Sequence, residues 1–194
     1  MVEILALAGP SGIGKGFIKK AIVQRFGAGF FIEPVVATTR PRRPDDGPDR
    51  LPGIPLTEFW SQVEQGEIIL NHQPFGVTGH WYGFLSATLN NTSRPVLTEF
   101  HVDNIVPARN QFGNRLILIG LVATDDSYLR ENIANRSGDF HEATEVRVQA
   151  AKREGSLIAG LHAKGLINVV FEAKRQNKQT LRYSVTDWVS NRLT

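Results

Sequence analysis

The chain has no cysteine. That excludes disulfides, a thiolate metal site and thiol catalysis, and it is compatible with a reducing cytoplasm. No apolar run approaches the roughly 20 residues that cross a membrane. The start lacks a basic region, an apolar stretch and a cleavage site in that order, so it does not read as a signal peptide. Internal repeats and low-complexity tracts are missing as well. His72, His80, His101, His141 and His162 show no metal-ligand spacing and read as structural or surface residues. Net charge is small, +3 over 194 residues, but it is uneven. Arg40, Arg42, Arg43 and Arg50 cluster in one stretch. A solvated basic loop and a pocket for an anion are both open readings. A nucleic-acid surface fits poorly, because Asp45, Asp46 and Asp49 sit inside the cluster and no exposed aromatics interleave with it.

The length suits one domain, with or without mobile inserts, and is enough for a substantial core. The most informative stretch is Gly9–Pro10–Ser11–Gly12–Ile13–Gly14–Lys15, directly after the apolar run Ile4–Ala8. Phe17, Ile18, Ile22, Val23 and Phe26 follow at helical spacing. A buried strand feeding a glycine-rich loop and then a helix is a phosphate cradle. The glycines let backbone N–H groups converge on an anion, and the helix adds its positive end. Lys15 adds a mobile cation. A tight strand–helix turn without a ligand is the alternative.

Along the chain, strand and helix signals alternate. Strands are expected at about 3–8, 31–38, 68–70, 81–84, 95–100, 116–122 and 166–171. Helices are expected at about 15–25, 56–65, 85–91, 102–111, 124–135, 142–163 and 180–193, with Thr57 and Thr124 as caps. Residues 40–55 read as a loop and residues 136–141 as a break. Repeated βα units with apolar strands imply an α/β fold, a parallel sheet covered on both faces. Trp60 and Trp188 read as core or helix-packing residues.

The order of motifs resembles the guanylate kinase family of nucleoside monophosphate kinases. The loop Gly9–Lys15 matches its G-P-S-G-x-G-K, and Thr38–Thr39–Arg40–Pro41–Arg42–Arg43 matches its T-T-R-x-x-R. Gly79–His80–Trp81–Tyr82–Gly83 resembles its G-x-x-Y-G, and Arg136–Ser137–Gly138 the start of its lid. The resemblance implies a P-loop kinase fold: a core of 1–35, 85–135 and 148–194, an acceptor-binding insert at 36–84 and a lid at 136–147. It implies ATP on Gly9, Pro10, Ser11, Gly12, Ile13, Gly14, Lys15, Gly16 and Phe17. It places an acceptor phosphate on Arg40, Arg43 and Tyr82, with Glu99 at a strand end. Lys15, Arg136 and Arg147 become the catalytic cations. Mg²⁺ is implied too, with Glu99 holding it through water; Asp103 reads equally as a helix cap. Arg42 reads as solvent-facing. Core packing for Tyr82 and helix-surface charge for Arg136 and Arg147 are the alternatives. The chemistry agrees: phosphoryl transfer asks for positioning and charge neutralisation, and Arg suits phosphate because its planar fork bonds oxygens in pairs.

Several family positions are altered. Gly16 stands where a Ser or Thr holds the metal. Val36 stands for a Ser on the acceptor phosphate, Leu70 for the Glu that reads guanine, and Phe84 for a Ser that helps. The strand end reads Thr98–Glu99–Phe100 in place of D-x-D, and 44–55 lacks the family's Tyr. The phosphate-handling residues are kept and the guanine-reading ones are lost. An apolar Leu offers a guanine edge nothing to bond. The sequence therefore predicts a cytoplasmic ATP-dependent kinase, monomer or homodimer, acting on a small phosphorylated acceptor. Two alternatives stand beside it. One is an activity of the ribose 1,5-bisphosphate kinase type. The other is a catalytically inactive guanylate kinase-like module that binds phosphopeptides.

Overall fold

The structure is a computed structural model. It describes residues 4–42, 47, 49–74, 79–90, 93–137, 141–174 and 177–193, with backbone alone for 135–137 and 141–144. In chain order the elements are β1 (Ile4–Ala8), α1 (Lys15–Phe26), β2 (Val36–Thr38), α2 (Leu56–Glu64), β3 (Ile68–His72), β4 (Tyr82–Leu85) and α3 (Ser86–Asn90). Next come β5 (Val96–Phe100), a 3₁₀ turn at Val102–Asn104, α4 (Ile105–Phe112) and β6 (Leu116–Ala123). The chain ends with α5 (Asp126–Ser137), α6 (His141–Ala163), β7 (Val169–Ala173) and α7 (Lys178–Leu193). No helix among the described residues is long and apolar enough to cross a membrane.

Four strands form the main sheet in the order β5-β1-β6-β7. All of its pairings are parallel, Ile4 standing beside Val96 and Leu116, and Ile119 beside Val169. Parallel strands need crossovers, and these put helices on both faces. The strand period of two therefore splits β1 between two cores. Leu5 and Leu7 pack with Ile18 and Ile22 of α1, Leu129 of α5 and Val185 of α7. Ile4, Ala6 and Ala8 pack with Ile105 and Ala108 of α4 and Ile158 of α6. The long α6 gives Val148 and Ala151 to the first core and Ile158 to the second. It therefore passes across the end of the sheet, above the loop that follows β1.

A second, antiparallel sheet runs β2-β4-β3. It has its own small core of Ala37, Phe59 and Ile68, with Trp60 and Trp81 ring centroids 4.7 Å apart. Trp188 packs on the first main core, as a helix-packing tryptophan does.

Local chemistry moved several boundaries. The expected strand at 31–38 shrinks to β2, with Ile32 making only an isolated bridge to Val96, because Pro34 has no N–H for a ladder. No side chain caps α2, whose N-cap is Pro55, so Thr57 lies inside the helix. Asp125, not Thr124, serves α5: its Oδ1 accepts from Ser127 N at 2.8 Å. Asp103 caps nothing; its own N–H faces the His101 ring at 3.4 Å. The last strand starts at Val169 rather than at 166 because α6 ends in a Schellman turn. Gly165 (φ +71°) donates to His162 O at 2.9 Å and Leu166 donates to Leu161 O at 3.0 Å. Leu166 is consumed by that cap, and Asn168 Oδ1 then accepts from Leu118 N at 2.8 Å.

Candidate active site

The loop after β1 lies at the carboxyl end of the parallel sheet, where open α/β folds place their ligands. Gly12 and Gly14 have φ of +82° and +99°, a region that strains any side chain. A Cβ on Gly9 would stand 2.8 Å from the Leu121 carbonyl oxygen, so strand packing also demands glycine. Gly14 is the N-cap of α1 and makes no side-chain capping bond. The first N–H groups of the helix are therefore available to an anion. Lys15 Nζ arches over the loop and donates to Gly9 O at 2.6 Å and Pro10 O at 3.2 Å.

A cleft of about 430 Å³ separates this loop from the small sheet. Lys15 and Gly16 line the loop side; Arg50, His72, Tyr82 and Phe84 line the other. Glu99 and His101, at the end of β5, and Glu154 of α6 also face it. A Cβ built on Gly16 would lie 3.9 Å from Glu99 Oε1, so the position that lacks a hydroxyl looks straight at the carboxylate. Among the described residues no group of three His, Asp or Glu could hold a metal by itself. One carboxylate opposite an open glycine suits Mg²⁺, which keeps several waters and takes its remaining ligands from phosphates.

The predicted site residues divide. Lys15, Gly16, Tyr82 and Glu99 share the cleft with Gly9, Ser11, Gly12 and Gly14. Pro10 and Ile13 build the loop, Ile13 being buried in the core. Phe17 turns away into a second hollow of about 390 Å³ with Tyr128, Asn132 and Lys178. There Lys178 Nζ stands 5.6 Å over the Tyr128 ring, and burial pushes the Tyr128 hydroxyl pKa up. Arg147 of α6 reaches the phosphate loop, its Nη2 donating to Ser11 Oγ at 3.3 Å. Arg136 lies in the last turn of α5 with its side chain outside the described residues, and Arg43 lies outside them altogether. Arg42 is exposed. Arg40 is not among the residues lining the cleft. It is buried, 6% exposed, with Nη1 donating to Pro41 O at 2.8 Å. A Cβ on Gly53 would stand 2.4 Å from the Arg40 carbonyl oxygen, so the returning loop packs directly on it.

Arg50, His72, His101 and Glu154 line the cleft although the sequence assigns them no site role. Arg50 belonged to the noted arginine cluster but carried no role; its guanidinium lies 5.7 Å over the Tyr82 ring. The sequence gives His72 and His101 no metal-ligand spacing and marks them as structural or surface residues, yet both face the cleft. Their rings stack with centroids 4.8 Å apart and planes 11° apart. His101 Nε2 stands 3.5 Å from Glu154 Oε1, too far for a good hydrogen bond. Burial first, and the neighbouring His101 second, lower the His72 pKa from 6.5 to about 4. The folded state thus binds this proton less readily than the unfolded chain. The stability involved is complete above pH 6.5 and is lost as pH falls towards 4, by about 3 kcal/mol in all. Urea titrations from pH 7 to pH 4 should show this slope, and His72→Gln should flatten it.

The comparisons with known proteins follow this geometry. No family model matches the chain. Over 157 residues it is 31% identical to the guanylate kinase of Thermotoga maritima, covering 78% of this chain and 72% of that one. The chain belongs to the guanylate kinase family. It is also 29% identical to the guanylate kinase of a Nostoc species over 156 residues, 78% of this chain and 75% of that one. In structure it matches guanylate kinase from Anaplasma phagocytophilum with a TM-score of 0.64 at 19% identity, over 99% of this chain and 84% of that one. Shikimate kinase from Acinetobacter baumannii matches with a TM-score of 0.52 at 15% identity, over 100% and 97%. Both share the P-loop kinase fold.

Set in the guanylate kinase family, the altered positions acquire places. Val36 and Phe84 do line the cleft and offer no hydrogen bond. Leu70 does not line it; its side chain is buried with Phe84 and Phe100 in the second core. At the end of β5 the alternating polar pair that faces the cleft is Glu99 and His101, one step on from the predicted Thr98–Glu99–Phe100. Thr98 is buried.

Proposed function

We propose that this guanylate kinase-family protein transfers a phosphoryl group from ATP to a small phosphorylated acceptor other than GMP. The observation that carries the reading is one cleft with the glycine loop and Lys15 on one side and Arg50 and Tyr82 on the other. The donor phosphates lie along Gly9–Gly14. Lys15 follows the charge that builds on the transferring group. Residues 36–84 hold the acceptor, its phosphate on Arg50 and Tyr82 with Arg43 in support, while Arg40 braces the neighbouring loop from inside the fold. Residues 136–147 form a lid that brings Arg136 and Arg147 over the donor and excludes water. The attacking phosphate oxygen is already ionised, so no general base is needed. When bound, Mg²⁺ neutralises donor-phosphate charge, and Glu99 is the carboxylate that would hold it through water. We place the activity in the cytoplasm.

GMP is disfavoured because Phe84 gives its base no partner and Leu70 is turned into the core. A buried guanine edge left unpaired loses selectivity by orders of magnitude. A sugar phosphate such as ribose 1,5-bisphosphate is the favoured second identity for the acceptor. The test is ADP release with GMP, AMP, dTMP, CMP and ribose 1,5-bisphosphate, each with ATP–Mg²⁺. The expected result is turnover with at least one acceptor and a GMP rate at least about tenfold below the best. A GMP rate far above the rest would overturn the acceptor argument. Failure to bind ATP, with phosphopeptide affinity in its place, would overturn the kinase reading.

A further inference from the structure

In the pairing of β3 with β4, Ile69 stands opposite Phe84 and the next partner pair is His72 with Tyr82. β3 therefore carries one extra residue, a β-bulge. At the bulge Leu70 has φ +52°, the one positive φ among the described non-glycine residues. Bulges re-aim the side chains beyond them, and a non-glycine residue in this region is strain that the surroundings must enforce. Here the surroundings are visible. Leu70 is driven into the core, and Asn104, 1% exposed, donates from Nδ2 to Leu70 O at 2.7 Å. The result is that His72 faces the cleft.

The His72 ring is then fixed on several sides. It stacks on Tyr82, centroids 5.9 Å apart and planes 26° apart, and on His101 behind it. Its Nδ1 lies 2.9 Å from Asn104 Nδ2. An amide nitrogen only donates, so Nδ1 must accept, and the proton of the neutral ring sits on Nε2. Leu70 O, at 3.5 Å from Nδ1, would ask for the opposite tautomer. The shorter Asn104 contact governs, and Leu70 O already has the same amide as its donor. Burial beside His101 keeps the ring neutral at physiological pH. Among the described residues, neither His72 Nε2 nor the Tyr82 hydroxyl has a protein acceptor.

We propose that His72 is a specificity-determining residue of the acceptor site, its Nε2–H acting beside the Tyr82 hydroxyl to donate to an oxygen of a sugar phosphate. The proposal rests on the reading of the cleft as a kinase acceptor site. Guanine presents two donors, N1–H and N2–H, beside the single O6 acceptor along its pairing edge, so a pair of protein donors leaves both guanine donors unmet. Phosphate and sugar oxygens accept from both. Tyr82 and His101 both stack on the His72 ring and compete with a base for its faces.

His72→Phe keeps a ring in the stack and removes the donor; His72→Gln restores an N–H at similar reach. With ATP and ribose 1,5-bisphosphate, His72→Phe should raise the acceptor KM about tenfold or more and leave the ATP KM unchanged. His72→Gln should recover part of the loss. An acceptor KM within about twofold of wild type in His72→Phe, or an equal rise in the ATP KM, would overturn the proposal. A second readout needs no turnover. Long-range ¹H–¹⁵N correlation of the His72 ring should show the Nε2-protonated tautomer. Its Nε2–H should shift when ribose 1,5-bisphosphate is added and stay put with GMP. An Nδ1-protonated ring, or the same shift with both ligands, sinks the idea even if the kinase reading holds. Absence of turnover with every acceptor would count against that reading alone.

Discussion

Lys15→Met should abolish phosphoryl transfer while leaving the fold standing. The ammonium lies at the mouth of the glycine loop and donates to the carbonyls of Gly9 and Pro10. Two of its bonds are to the loop itself, and it sits at the first position of α1. Methionine is unbranched and helix-compatible, so the helix start is preserved. What disappears is the one charge of the loop that can move with a transferring phosphate. Losing a donor aimed at developing charge costs on the order of 10³-fold in kcat. The measurement is ADP release under saturating ATP and acceptor, alongside thermal melts of both proteins. Melting within a few degrees of wild type with activity lost is the expected pair. Full activity would mean that the loop is not the donor site.

The loop was legible in the sequence because its signals are local. An apolar run becomes a strand buried at every position, the glycines take the positive φ that they alone adopt freely, and helical spacing follows. The parallel sheet was legible for the same reason, its central strands β1 and β6 being apolar on both faces. What was not legible depends on distant partners. His72 faces the cleft because of a bulge, and the bulge is held by Asn104, far along the chain. No spacing around residue 70 announces it. The predicted replacement of a base reader by Leu70 was a statement about alignment; the backbone at Leu70 turns that side chain inward and presents His72. The start of β7 was hidden likewise. Leu166 is apolar enough for a strand, and only the Schellman turn at the end of α6 consumes it. Arg50 was visible as charge, but composition does not say which member of an arginine cluster points at a ligand and which is buried as structure.

Arg50 and Arg40 should therefore separate on substitution. Arg50→Ala should raise the acceptor KM by about 10- to 100-fold, the loss of a charge-assisted contact to phosphate. It should leave the ATP KM and the melting temperature near wild type. Arg50 stands in the stretch that lacks the family's Tyr, and it lines the cleft with its guanidinium over Tyr82. Arg40→Ala should instead destabilise the protein by about 2 kcal/mol, because a buried side chain is removed from the fold and its bond to Pro41 O goes with it. For a domain of this size that lowers Tm by about 4–8 °C. The double variant should show both losses, nearly additive if the residues act separately. The motif T-T-R-x-x-R makes the opposite forecast for Arg40. If Arg40→Ala spares Tm and raises the acceptor KM, the acceptor phosphate is gripped from that side and Arg50 serves only to brace Tyr82. The two outcomes differ on both measurements, so one pair of proteins decides which arginine faces the substrate.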